Sequence, residues 1–399
     1  MKKLLAYITI LTLALFIASC RKEAGYRALI VTGQSEHNWQ ASSPVLEKIL
    51  ESTGLFSADI AITPEKDGDM SSFKPVFSRY DLVVLDYSGD SWPEETMKAF
   101  TDYVRNGGGV VVYHGSSISF PDWKEYNEIT GLGGWNNRNE KDGPYVYYSR
   151  NRLVYDSTAG PAGGHGERHE FEIRMRISDH PVTKGLPVRW MHGSDELYQQ
   201  LRGPAKNLQV LATAYADTAF DGTGRDEPVL MTINYGEGRI FHTAIGHADE
   251  GGGPAMECTG FIVTLQRGAE WAATGNVTQA VPYDFPTAAG VFTRPGFDEI
   301  TIEQAFERLA TYEIQKSTRY ITLVRKAISD AAGDPEKLSE LERRMVALLK
   351  DPSATTEAKK LILKELSWTG SAYTVEELTK LPDNQDLKEE IEFALERLK

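Results

Sequence analysis

Four short apolar runs, each followed by a turn or a helical pattern, constrain this chain more than any other feature. Residues 28–32 run apolar into Gly33, 58–62 form a second run, 81–87 a third built on Leu-Val-Val-Leu, and 110–113 a fourth. Strands apolar on both faces and separated by helices belong to a parallel sheet covered on both sides. The intervening helices are expected at 43–52, with Ser42 or Ser43 as the cap and Pro44 in the first turn, and at 93–106, stopped by Gly107-Gly108-Gly109. Further strands are expected at 171–177, 208–214, 229–235 and 239–245. Tyr235-Gly236-Glu237-Gly238 makes a tight hairpin between the last two, so the sheet becomes mixed toward one edge. A helix at 258–273 closes the domain through Phe261, Ile262, Leu265 and Trp271. The expected class is α/β: an open, mostly parallel sheet of flavodoxin-like order with helices on both faces, plus a small C-terminal α-helical region.

The flanks differ from this core. Lys2 and Lys3, an almost wholly apolar 4–17, and Ala18-Ser19 before Cys20 have the layout of a secretory signal. Ile17-Ala18-Ser19-Cys20 resembles a bacterial lipobox, in which Cys20 becomes the first mature residue and carries lipid. The expectation is therefore an exported protein held to a membrane by a lipid anchor at Cys20. Only Cys258 remains, so no intrachain disulfide forms if Cys20 is lipidated. The expected division is a signal at 1–20, an α/β domain at 27–282, a Pro- and Gly-containing linker at 283–297 and helices over 298–399. Breaks near Gly333-Asp334-Pro335, Asp351-Pro352-Ser353 and Pro382-Asp383-Asn384 suit either HEAT-like repeats or a small bundle. These helices are a candidate surface for a protein partner.

Nothing in a net charge of -14 favours nucleic acid, whose phosphates need clustered Lys and Arg, and it fits simple solubility. All 8 histidines lie between positions 37 and 247, which places any titrating chemistry in the α/β domain. Ligands of open α/β sheets bind at the carboxyl ends of the strands. His37 follows the first strand, Asp86 ends the third, His114 ends the fourth, and His247 follows the last. Convergence of His37, His114 and His247 on one crevice is the expectation. His165 and His169 share a polar loop and fall on one side of an extended backbone, so both are candidates to approach it. His180, before a proline, suits a turn, and His242, in mid-strand, suits packing. Asp195-Glu196-Leu197-Tyr198 supplies two adjacent carboxylates, one a candidate general base. Trp39 and the aromatics of the long, Gly- and Asn-rich stretch 115–168 suit stacking on a sugar ring.

A nucleophile elbow would fall at residues 109–119, but His114 stands there, and no Gly-x-Ser-x-Gly surrounds Ser116. Covalent hydrolase chemistry is therefore disfavoured. His37, His114, His247 and Glu196 also have the donor types of a divalent-metal site, although no tight His-x-His or His-x3-His pair points to one.

The chain resembles the ThuA-like (trehalose-utilisation) family over roughly residues 27–275. The resemblance is carried by His37 and Trp39 after the first strand, Val112-Tyr113-His114-Gly115, Asp179-His180-Pro181-Val182-Thr183-Lys184-Gly185-Leu186, Asp195-Glu196-Leu197-Tyr198, Gly236-Glu237-Gly238-Arg239-Ile240-Phe241, Gly246-His247 and Arg267-Gly268-Ala269-Glu270-Trp271-Ala272. It implies a class I glutamine amidotransferase-like fold without the catalytic cysteine. It also implies a carbohydrate substrate, trehalose or a related disaccharide or its 3-keto derivative. It marks His37, His114, Glu196 and His247 as the catalytic candidates; Trp39, Asp86, His165, His169, Asp195 and Tyr198 are candidate substrate contacts on the reading of the residues themselves. A non-catalytic sugar-binding lipoprotein is the alternative. Nothing in the resemblance extends to the helical tail.

Overall fold

The computed structural model describes residues 25–248, 253–294, 301–314, 319–382 and 384–398, so the signal segment and Cys20 lie outside the described residues. Eleven strands form one sheet: β1 (Tyr26–Thr32), β2 (Phe56–Ile62), β3 (Leu82–Leu85), β4 (Gly109–Tyr113), β5 (Tyr145–Ser149), β6 (Arg152–Asp156), β7 (His169–Met175), β8 (Arg189–Asp195), β9 (Leu208–Tyr215), β10 (Asp226–Tyr235) and β11 (Gly238–Thr243). Their order is β2-β1-β3-β4-β11-β10-β9-β7-β8, with the β5–β6 hairpin attached to β10. The first five run parallel, Val31 opposite Leu85 and Leu85 opposite Val112. From β11 onward each neighbour is antiparallel, beginning with the β10–β11 hairpin, whose Tyr235 pairs with Gly238 across Gly236-Glu237.

The alternation inside each apolar run explains why both faces are covered. Ala28, Ile30, Leu82, Val84 and Val111 enter one core, which contains α1 (Trp39–Glu51) through Val45, Leu46 and Ile49. Leu29, Val31, Val83, Leu85, Val110 and Val112 enter the opposite core with Phe100 and Val104 of α2 (Glu94–Arg105) and Tyr126 and Ile129 of α3 (Lys124–Thr130). Each such side chain stabilises the fold by about 1.5–3 kcal/mol relative to exposure. After α4 (Gly253–Glu257), α5 (Thr259–Thr274) returns to the first core with Phe261, Ile262, Leu265 and Trp271 all buried.

Two local expectations are corrected. Helix α1 begins at Trp39, because the Asn38 side chain accepts from Ala41 N and caps it. Pro44 consequently lies inside the helix, and the Ser42 and Ser43 hydroxyls are not caps but donate to Asp86 Oδ2 at 2.7 and 2.6 Å. The segment expected as a linker is laid against the domain over 283–294. Phe285 packs 5.5 Å from Trp190, Thr259 N donates to Phe292 O, and Arg294 pairs with Asp284 at 2.9 Å.

Within the long stretch 115–168, which also holds the β5–β6 hairpin, one buried cation ties together the chain of 117–134. Arg138 donates to the carbonyls of Ser117, Ile118, Ser119 and Gly134 and to Asn127 Oδ1, satisfying loop backbone that has no ladder partner. The tail comprises α6 (Ile302–Leu309), α7 (Arg319–Asp330), α8 (Pro335–Lys350), α9 (Thr356–Thr369), α10 (Ala372–Leu378) and α11 (Lys388–Leu398). These helices share their own core of Leu341, Met345, Leu349, Ile362, Leu366 and Ala394. The tail joins the α/β domain on the C-terminal half of α1, where Arg308 pairs with Glu51 and the Tyr320 hydroxyl donates to Glu47. Among the described residues no helix is long and apolar enough to cross a membrane.

Candidate functional site

The carboxyl ends of β1, β4, β8 and β11 meet at one place. His37 lies in the loop after β1, and His114 directly follows β4 with φ at +39°, a left-handed conformation unusual for a side-chain-bearing residue. Its ring is held from two sides. Nδ1 lies 2.9 Å from the Ala244 carbonyl, and the Tyr198 ring stacks 4.2 Å away. A carbonyl only accepts, so Nδ1 carries the proton and Nε2 keeps its lone pair. Gly115 makes room for the neighbouring imidazole: a Cβ there would stand 2.5 Å from His37 Nδ1. Gly246, at φ +105°, turns the chain after β11 so that His247 faces the same point.

Glu196 is the hub, and its two oxygens are divided. Oε1 accepts from Arg168 Nη2 at 3.0 Å and Nε at 3.2 Å. Oε2 faces four imidazoles: His247 Nδ1 at 3.2 Å, His37 Nε2 at 3.6 Å, and His114 Nε2 and His165 Nε2 each at 3.9 Å. Burial pushes the Glu196 carboxyl up, but His247 and His37 outweigh it and hold the group far below the usual carboxylate range. Burial and the neighbouring His37 depress His114 to about 3, so it is neutral near neutral pH. Arg168 also reaches His247 Nε2 at 2.5 Å, and the Tyr198 hydroxyl stands 3.1 Å from His37 Nε2.

Beneath this cluster Asp195 acts as an anchor. Its Oδ1 accepts from Glu196 N at 2.7 Å and His247 N at 3.0 Å, and its Oδ2 from Gly246 N at 2.6 Å, with His192 Nε2 2.7 Å away. Burial raises the Asp195 carboxyl, yet the His192 contact leaves it lower than usual. Burial also opposes charge on His192, but the Cys258 sulfur and Asp195 beside it raise that imidazole to about 10.

Of the residues expected at a site, His37, His114, His165, Glu196, Tyr198 and His247 are brought together. Asp195 is fully buried beneath them and touches backbone and His192. Asp86 stands behind the site, its Oδ2 occupied by Ser42 and Ser43, and burial pushes it up to about 6. His169 is turned away, its ring stacked 4.0 Å from Phe220. It opens β7, whereas His165 lies in irregular chain bridged to Tyr198, so the two do not share one extended face. His180 packs on Trp271 in its turn, and His242 is buried with Nδ1 2.8 Å from Thr130 O. Trp39 lines a polar cavity of about 600 Å³ with Gln34, Ser35, Ser88, Asp90 and Asn136. None of His37, His114, Glu196 and His247 lines it; Glu36, which does, precedes His37 in the chain, and Asn136 follows Trp135, whose ring packs 4.8 Å from Tyr198.

Arg168 and His192 carry roles that sequence reasoning did not assign. The only signal for Arg168 was its place between His165 and His169; for His192 it was the spacing of three to Asp195. Cys258, the free cysteine among the described residues, is buried beside His192 and away from the elbow position that His114 fills. The cluster can hold charge, relay protons between imidazoles, or take a cation. The donor atoms of His37, His114, Glu196 and His247 all lie within 4.8 Å of one another.

The model of a protein family described as trehalose utilisation matches residues 27–272. Among solved structures, a ThuA-like protein from Parabacteroides merdae is 53% identical, covering 69% of this chain and 99% of its own, with a TM-score of 0.67. A ThuA-like protein from Bacteroides uniformis is 18% identical, covering 66% of this chain and 97% of its own, with a TM-score of 0.43. No curated protein matches. With a family match that takes in every residue of the Glu196 cluster, the chain belongs to the ThuA family of trehalose utilisation.

Proposed function

We propose that this protein acts on a disaccharide or 3-keto-glycoside by proton transfer within the cluster of His37, His114, Glu196 and His247. The observation that supports it most is the gathering of four imidazoles from separate parts of the chain around one carboxylate oxygen. A 3-keto group acidifies the C–H at C2. An imidazole nitrogen takes that proton, the electron pair moves into the enolate, and its collapse expels the glycosidic oxygen from C1. The departing oxygen recovers a proton from an imidazolium. Glu196 is a weak base because it is held so far below its ordinary range; its part is to stabilise the imidazolium that forms. His37 and His247, whose nitrogens lie 3.6 and 3.2 Å from Glu196 Oε2, are the proton carriers.

Incubation with 3-keto-trehalose and related 3-keto-glycosides, with and without added divalent metal, tests this reading. Turnover lost in His37→Gln and His247→Gln is the expected result. Absence of turnover under both conditions counts against it, and sugar binding retained without turnover favours a non-catalytic binding protein. Export and lipid anchoring at Cys20 belong to the same proposal, supported by the basic start, apolar stretch and small residues that precede that cysteine.

A further inference from the structure

We infer that His37, His114, His247 and Glu196 form a binding site for one divalent transition-metal ion of the zinc type. The inference uses the residues of the proposed function but does not depend on the sugar chemistry.

The argument starts from a conflict between two acceptors. The Ala244 carbonyl keeps the proton of His114 on Nδ1, so Nε2 presents a lone pair. That nitrogen is in a ring only 1% exposed, has no hydrogen-bond partner, and points toward Glu196 Oε2 at 3.9 Å. The carboxylate is itself an acceptor, and its side chain is 9% exposed. Two facing acceptors in a nearly dry site repel unless a proton or cation lies between them. A cation bound by both resolves the conflict; His37 joins it through Nε2, and His247 through Nδ1 once Arg168, which donates to His247 Nε2, gives up that contact.

The surroundings have the features of a metal site's supporting shell. The Nδ1 contact of His114 to a backbone carbonyl fixes tautomer and ring orientation, as a ligating histidine requires. Arg168 occupies Oε1 and thereby turns Oε2 inward. Asp195 fixes the backbone of both Glu196 and His247. Three imidazoles and one carboxylate suit zinc, cobalt(II) or nickel(II), whereas magnesium and calcium take oxygen ligands. With the ion bound, the lone pairs of its ligands are committed. His37 and His247 then cannot carry protons as they do in the metal-free site, and His165, 41% exposed and outside the four-donor set, is the imidazole left to do so.

The test uses the full chain without a polyhistidine tag, treated with chelator and then titrated with Zn2+ by calorimetry and with Co2+ by visible absorption. The expected result is saturation at one ion per chain, with affinity reduced at least 10-fold in His114→Gln, little competition from Mg2+, and a higher unfolding temperature with Zn2+. Should His114→Gln fail to fold, His37→Gln carries the same expectation, since its ring lies at the edge of the site. Failure of the unaltered chain to saturate at one equivalent overturns the inference, as does unchanged affinity in both variants. Turnover of 3-keto-trehalose is measured on the same samples. Stoichiometric binding without turnover retains the metal site and removes the sugar reading; turnover by chelated protein that binds no ion does the reverse.

Discussion

His192 and Asp195, three residues apart on β8, share a 2.7 Å contact between Nε2 and Oδ2, and neither side chain has any exposed surface. The remaining capacity of Asp195 goes to three backbone N–H groups, two of them belonging to Glu196 and His247. A buried charge pair thus sets the height at which the functional side chains stand. Replacing Asp195 by Asn removes one of the two groups, the other being the Cys258 sulfur, that hold the His192 imidazole charged. The expected cost is about 3–5 kcal/mol of stability, the range for breaking one partner of a buried pair. Urea unfolding of D195N beside the parent measures it, and a loss below about 1 kcal/mol, ordinary for a surface change, would contradict the anchoring role.

Acid sensitivity should come in part from His242. Burial depresses it to about 4 in the folded chain, against an ordinary value of 6.5, so the folded protein holds it neutral. Between these values the unfolded chain binds a proton that the native chain does not, and stability falls as pH drops from 6.5 toward 4. The contribution is fully present above pH 6.5. At about 1.4 kcal/mol per unit, roughly 2–3 kcal/mol is lost by pH 4.5. The stability difference between pH 7 and pH 4.5 should be smaller by that amount in His242→Asn. An equal acid loss in both proteins would assign the effect to other groups.

Gly115 reports on the position of His37. A methyl group placed there collides with the His37 ring, to which its three nearest atoms all belong, so the ring must move. Gly115→Ala is expected to lower turnover by about 100-fold, the order of loss that a displacement near 1 Å can produce. Thermal unfolding and circular dichroism should change little. Full activity in this variant would mean that the ring's location is not required.

Membrane attachment is checked through Cys20. Expressed from its complete sequence in a bacterial host, the parent should incorporate labelled fatty acid and sediment with membranes, and Cys20→Ala should do neither. Equal labelling of both proteins would remove the anchor from the proposal.

Much of this protein follows from local pattern. Leu-Val-Val-Leu at 82–85 and the matching runs at 28–32 and 110–113 require a sheet covered on both faces, because successive side chains point to opposite sides. The placement of His37, His114 and His247 after strands was readable for the same reason: ends of parallel strands share one edge. Local pattern also had limits within the fold. Asn38 rather than Ser42 caps α1, because Ser42 and Ser43 are engaged by Asp86, a residue distant in sequence. The irregular chain around the helix at 124–130 showed no period because Arg138, not a ladder, satisfies the carbonyls of Ser117, Ile118, Ser119 and Gly134.

By itself, then, the sequence determined the two-faced sheet, the closing helix and the set of histidines able to meet. Only the tertiary structure decided that His165 joins Glu196 while His169 stacks on Phe220, that Arg168 takes one carboxylate oxygen, and that Asp195 turns inward to His192. Those outcomes depend on which strands become neighbours and how far a loop reaches across them. Long-range pairing sets both, and no periodicity within a segment encodes it.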